Sequence, residues 1–315
     1  MKSRTKAILS IMAMPPLLME LLSGNLPGSV FIQPLYLIIL ITGYSLPVLI
    51  IRELSVRWKL GLAGIFTLGL AYGIFNEGIG AKTILLNQNV PVPSFDNYGY
   101  FLGINFPWAA YIMVFQAMVS VLFPILFVHY LYPDVKQVSW FGKKSTIALA
   151  VPSAIAGTII FFSPVPFQAQ PVYFPVFLVS MAVLAIVARF MPKSEGLKNA
   201  RCGIKPLFLG IAFLALYALG LDLLANMKVE LALFYSSMIG ILLLFAFILK
   251  SKNWLTTPAL LLFGIGVYMV LGITGTLSTV IIKGYPEGLI TGPAFEIAFI
   301  WVALRIRKQQ LSKPK

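Results

Sequence analysis

Cysteine, histidine and charge are all scarce in this chain of 315 residues. The single cysteine, Cys202, rules out an intrachain disulfide. The single histidine, His129, rules out a multi-histidine metal centre, a HExxH zinc site and haem held by paired histidines. A G-x-S-x-G elbow, a Walker loop and a paired-Asp lipid-transferase motif are missing too, so no metal and no cofactor is expected. Charged residues make up 11% of the chain and hydrophobic ones 59%. A soluble domain of this length does not have that composition, so the bilayer is the solvent.

Ten apolar segments stand out, each near the ~20 residues that a bilayer requires. They run over 6–23, 34–52, 60–82, 106–131, 145–163, 172–190, 206–226, 230–249, 258–281 and 291–306. The start, MKSRTKAILSIMAMPPLLMELLSG, has the look of a signal peptide but no clear A-x-A cleavage site; it reads as an uncleaved first span. Net charge is +14, yet the basic residues sit in short loops, where they orient spans and do not form a nucleic-acid surface. With the N-terminus in the cytoplasm and strict alternation, every one of the 24 basic residues except Lys82, Lys228 and Lys283 falls on the cytoplasmic side. The expected fold is therefore all-α: a polytopic transmembrane helical bundle of about ten spans, both termini cytoplasmic, in the cell membrane. It is expected to form one integral membrane domain over 1–315, with a polar half at 1–133 and supporting helices at 134–315. Five spans plus five would allow an inverted duplication, but no convincing internal repeat is visible.

The polar residues concentrate in the first four spans. Within the third lies GLAYGIFNEGIGAK, from Gly69 to Lys82. On an α-helix, Gly69, Gly73, Glu77 and Gly80 share one face, a glycine ridge carrying a carboxylate. A neighbouring helix, the first or fourth span, should pack on that ridge. Glu77 would lie ~25 Å up its span, and an ionisable group at membrane depth points to function. Glu20 lies near the outer end of the first span. Asn105 stands at the mouth of the fourth, and Gln116 lies three turns below it. Glu20, Asn76, Glu77, Asn105 and Gln116 are thus the candidate solute- or ion-binding residues of one outward-facing polar cavity, with Glu77 protonated or hydrogen-bonded to Asn105 or Gln116. Singly, each of the three amides reads better as a helix–helix hydrogen bond.

Other polar residues read more plainly. His129 lies ~35 Å below Asn105 by helix rise, too far to pair with Glu77, and reads as an interfacial residue beside Tyr130 and Tyr132. Glu53 and Arg57, four apart, read as an interfacial salt bridge. Tyr98, Tyr100 and Trp108 suit the aromatic belt, and Lys82 is free to reach headgroups. Pro15-Pro16 and Pro47 are expected to break their helices. Glu296 falls in the first turn of the last span, where a helix N-terminus favours an anion.

Some of these residues carry a resemblance. Glu20-Leu21-Leu22-Ser23-Gly24 with Pro27, Ile51-Arg52-Glu53, Ala71-Tyr72-Gly73-Ile74 with Glu77-Gly78, Gly103-Ile104-Asn105 and Pro124-Ile125-Leu126 resemble a family of uncharacterised prokaryotic polytopic membrane proteins, over the N-terminal half. In that pattern a second Glu often stands where this chain has Asn76, and a His where it has Gln116. A Glu pair with a His on the next helix is similar to the CAAX-protease and bacteriocin-processing family, from which this chain departs at both points. Lys82, moreover, stands one residue beyond the place of that family's Arg.

The function expected is a transporter-like or ligand-binding one, its partners the lipid bilayer and a small solute or cation, with Glu77 as the responsive carboxylate. The alternatives are a degenerate CAAX-type intramembrane protease and a non-catalytic membrane scaffold.

Overall fold

The computed structural model describes residues 3–193, 197 and 200–311. The first helix, α1 (Ser3–Pro16), runs on through a π-helical turn at Leu17–Leu21. Among the described residues nine helices are long and apolar enough to cross a membrane, against the about ten spans expected, and α1 is not one of the nine. These are α2 (Pro34–Arg57), α3 (Leu62–Gly80), α4 (Phe106–Leu131), α5 (Lys143–Phe162), α6 (Tyr173–Phe190), α7 (Lys205–Asn226), α8 (Leu231–Ser251), α9 (Thr257–Ile282) and α10 (Gly288–Gln310). The all-α polytopic architecture is as expected, with boundaries within a few residues. Of the basic residues used to orient the spans, Lys2, Lys198, Lys313 and Lys315 lie outside the described residues. A small antiparallel hairpin, β1 (Tyr100–Phe101) and β2 (Ile104–Asn105), pairs Tyr100 with Asn105 ahead of α4.

The expected helix breaks do not occur. Pro15 and Pro16 lie inside α1. Pro16 has no N–H, which leaves the carbonyl of Met12 without its helical donor. The Ser45 hydroxyl of α2 donates to that carbonyl at 2.5 Å. Pro47 stands two residues after a π turn at Ile41–Ser45, and Pro124 two residues after another at Ala117–Leu122. A widened turn accommodates the missing donor without ending the span.

The chain divides into two compact units, Met1–Pro16 with Pro34–Gly196, and Leu17–Gln33 with Leu197–Lys315. In the first, α3 and α4 are central: 72% of each apolar stretch is buried, against 22% for α5 and 11% for α6. Ile65, Leu68 and Tyr72 of α3 meet Val121, Ile125 and Val128 of α4, with Val48 and Leu49 of α2 and Ile11 of α1 closing the core. The polar helices α1–α4 thus share their unit with α5 and α6. In the second unit α9 is central, packed between α7 and α10. Phe213, Phe245 and Phe263 bring rings from α7, α8 and α9 together.

Candidate functional site

The glycine ridge of α3 packs on α4. A Cβ added to Gly69 would lie 2.7 Å from the Ala117 Cα, and one added to Gly73 would lie 2.8 Å from the Met113 Cα. Only glycine allows the two backbones this close. Gly80 leaves the ridge, because a Cβ there would meet only the Phe75 carbonyl, at 3.6 Å. The reason is local. Ile74–Gly80 is a π-helical turn, so α-helical spacing fails beyond Gly73.

Glu77 sits in that turn, 7% exposed. Its Oε1 accepts from Gln116 Nε2 at 2.6 Å, and its Oε2 accepts from Thr83 Oγ1 at 2.5 Å. Gln116 is held in turn by Ser120, whose hydroxyl donates to Gln116 Oε1. Thr83 accepts from the indole of Trp108, Nε1 to Oγ1, at 3.1 Å. A chain of neutral groups from α4 and from the segment after α3 therefore surrounds the carboxylate. Among the described residues no ion pair involves Glu77; both salt bridges there belong to Glu53. No group of three or more His, Cys, Asp or Glu among them could hold a metal ion.

The other candidate residues are engaged elsewhere. Asn76, 7% exposed, donates from Nδ2 to the Tyr72 hydroxyl at 2.8 Å, one turn back on its own helix. Asn105 is fully buried and acts as the N-cap of α4, its Oδ1 accepting from Trp108 N at 3.1 Å and its Nδ2 donating to the Phe95 carbonyl at 2.9 Å. Glu77 therefore bonds to Gln116, one of the partners expected for it, and Asn105 stays a cap. Glu20 belongs to the second unit and is half-buried; its carbonyl accepts from Leu26 N at 3.0 Å.

Three single-residue expectations, those for Lys82, Trp108 and Tyr98, are corrected. Lys82 does not reach for headgroups. It is fully buried in the left-handed region, φ 58°, and its Nζ donates to the carbonyls of Ser163 at 3.0 Å and Phe167 at 2.7 Å. Burial pushes its ammonium pKa below the ordinary lysine value. The turn it makes returns Thr83 to Glu77. Trp108 and Tyr98 are buried, not part of a belt; Trp108 packs on Phe95 and Tyr111. His129 accepts from Arg52 Nε at 3.3 Å.

That last contact belongs to a polar node that sequence reasoning undervalued. Arg52 and Glu53 are both fully buried and joined at 2.6 Å. Arg52 also donates to the carbonyls of Val135, Lys136 and Val138, at 2.8, 3.1 and 2.9 Å, and its guanidinium carbon lies 3.4 Å from the Trp140 ring centroid. Glu53 accepts from Trp140 N at 2.8 Å, Ser139 Oγ at 2.6 Å and Phe141 N at 3.3 Å, with Arg57 at 3.6 Å. The node pins the segment after α4 to α2. Adjacent Arg and Glu near a helix end are too common to have signalled it.

Compared with known proteins, the chain matches over residues 8–308 a family described as an uncharacterized membrane protein family. The match takes in both halves of the chain, whereas the motif resemblance was confined to the first. Neither a curated protein nor a solved structure matches.

Proposed function

We propose the following reading for a chain that belongs to an uncharacterized membrane protein family: a transporter-like or ligand-binding membrane protein in which Glu77 takes up and releases a proton or small cation. Glu77 and Gln116 form its working centre, with Thr83 as the third member. One observation carries the reading. A carboxylate buried within a membrane-spanning helix is held by an amide and a hydroxyl, with no cation paired to it among the described residues. An ionised carboxylate in that setting is costly, and a change of charge there shifts the balance between packed arrangements. In this reading a polar pocket opens outward beside Glu77 and admits a small solute or cation.

A second reading, a non-catalytic scaffold, draws on the fact that both carboxylate oxygens already have donors. The degenerate CAAX-type protease has less support, since Asn76 and Gln116 are bonded to Tyr72, Glu77 and Ser120 in place of a catalytic carboxylate and imidazole.

Trp108 offers a test that needs no known substrate, because its indole N–H reaches Glu77 through Thr83. Tryptophan emission of the purified protein in nanodiscs is followed against pH. The expected result is a titration lost in both Glu77→Gln and Trp108→Phe, with Glu77→Gln remaining folded and monodisperse. An unchanged titration in Glu77→Gln would refute the reading and favour the scaffold.

A further inference from the structure

The ridge of α3 has a counterpart in the second unit. GLAYGIFNE, Gly69 to Glu77, and GLITGPAFE, Gly288 to Glu296, share one pattern: Gly, Gly and Glu, each four residues after the last. In α10 the two glycines are also seats of close packing. A Cβ on Gly292 would collide with Thr276 Oγ1 of α9, and one on Gly288 would lie 3.0 Å from Thr279 Cβ. Glu296 is the next residue along that ridge. Its Oε1 occupies the space that a side chain on Gly272 of α9 would need.

Glu296 does not lie in the first turn of its span, as the sequence suggested. The helix begins at Gly288, so the carboxyl lies eight residues in, ~12 Å from the end. Its Oε1 is sealed from the surface and has no hydrogen-bond partner among the described residues. Several charged and titratable groups of the surrounding segments are already engaged. Lys283 Nζ donates to the carbonyls of Gly24 and Asn25 at 2.7 and 2.8 Å. Glu287 Oε1 accepts from Gly28 N at 2.5 Å. Tyr268 of α9 stacks on Phe299, one turn further along α10. Glu20 lies on the π turn at Leu17–Leu21. Arg305, Arg307 and Lys308 lie towards the far end of α10 itself. No ion pair among the described residues involves Glu296.

We propose that Glu296 is a second intramembrane proton-binding site, a glycine-seated carboxyl that takes up and releases a proton within the second unit. A charged carboxylate with one oxygen desolvated and undonated is among the most expensive groups a membrane helix can carry, and a proton removes the charge without requiring a new partner. Because Glu296 as a whole is only half-buried, its other face is open to a small apolar reagent. The proposal does not rest on the reading of Glu77.

Dicyclohexylcarbodiimide reports such a group. The carboxyl proton passes to a carbodiimide nitrogen while the carboxyl oxygen adds to the central carbon; the O-acylisourea then rearranges to a stable N-acylurea, and nothing is expelled. The full-length protein in nanodiscs is treated, digested and mapped by mass spectrometry. The expected adduct lies on Glu296, and its initial rate falls more than about tenfold between about pH 6 and about pH 9. Glu296→Gln should lose the adduct, Glu296→Asp should keep it, and Glu77→Gln should leave its rate unchanged. Glu296 left unmodified in folded protein, a rate flat with pH, or an equal rate with a water-soluble carbodiimide would each overturn the proposal.

Discussion

Glu53 and Glu77 are two buried carboxylates of the same unit, and they keep different company. Glu53 is bonded to a guanidinium, two backbone amides and a hydroxyl, and the guanidinium is itself saturated by three carbonyls and a ring face. Glu77 has one amide and one hydroxyl, both neutral. Fixed cations compensate the carboxylate at the first site, whereas no cation among the described residues is paired with it at the second. Burial alone thus does not mark a functional carboxylate in a membrane. What marks it is burial without a compensating charge. A compensated pair ties two segments together and gains nothing from titrating; an uncompensated one is poised to change state.

Removing the compensation should break the contrast with the largest effect. Arg52→Ala removes the closer of the two cations at Glu53 and leaves the buried carboxylate with Arg57 at 3.6 Å, a change expected to destabilise by ~3 kcal/mol. Thermal unfolding in detergent checks it; a variant with wild-type stability would mean that the node does not hold the segment after α4. A smaller loss should follow from wedging the ridge. Gly73→Leu forces a side chain against the Met113 backbone, and overpacking of this kind typically costs ~1–3 kcal/mol. At Gly80 a Cβ would make only an ordinary contact, with the Phe75 carbonyl at 3.6 Å, so Gly80→Leu should be tolerated better. Equal losses for the two would contradict the packing of α3 on α4.

The smallest effect concerns Lys82, a buried charge that, like Glu77, has no ionic partner among the described residues. Its folded pKa lies below the ordinary 10.5. Between those two values the unfolded chain binds more protons than the folded one, so stability should rise as pH rises towards 10.5. Lys82→Met should flatten that slope. An identical slope in the variant would show that the ammonium is not desolvated.

Much of this was legible in one dimension. Apolar run length set the spans, since a bilayer demands a near-constant length of apolar helix, and the Gly69–Gly73 spacing marked a ridge because α-helical periodicity holds up to Gly73. The ridge of Gly288, Gly292 and Glu296 was equally readable once Glu77 was in view; Pro293 and a late span start hid it. The failures share one cause. The π turn at Ile74–Gly80 displaced Gly80 from the ridge, the turn at Lys82 brought Thr83 back to Glu77, and Ser45 rescued the carbonyl that Pro16 abandoned. Each depends on partners distant in sequence or on a departure from α-helical spacing.

By itself, then, the sequence determined an all-α polytopic bundle, its span boundaries and the presence of a carboxylate at depth, because length, hydropathy and helical period are properties of the chain. Only the tertiary structure decided that Gln116 and Thr83 would hold Glu77, that Asn105 would cap a helix, and that Arg52 would neutralise Glu53. Those outcomes depend on which buried donors lie within hydrogen-bonding reach, and hydrogen bonds act over about 3 Å, a distance no sequence spacing encodes between different helices.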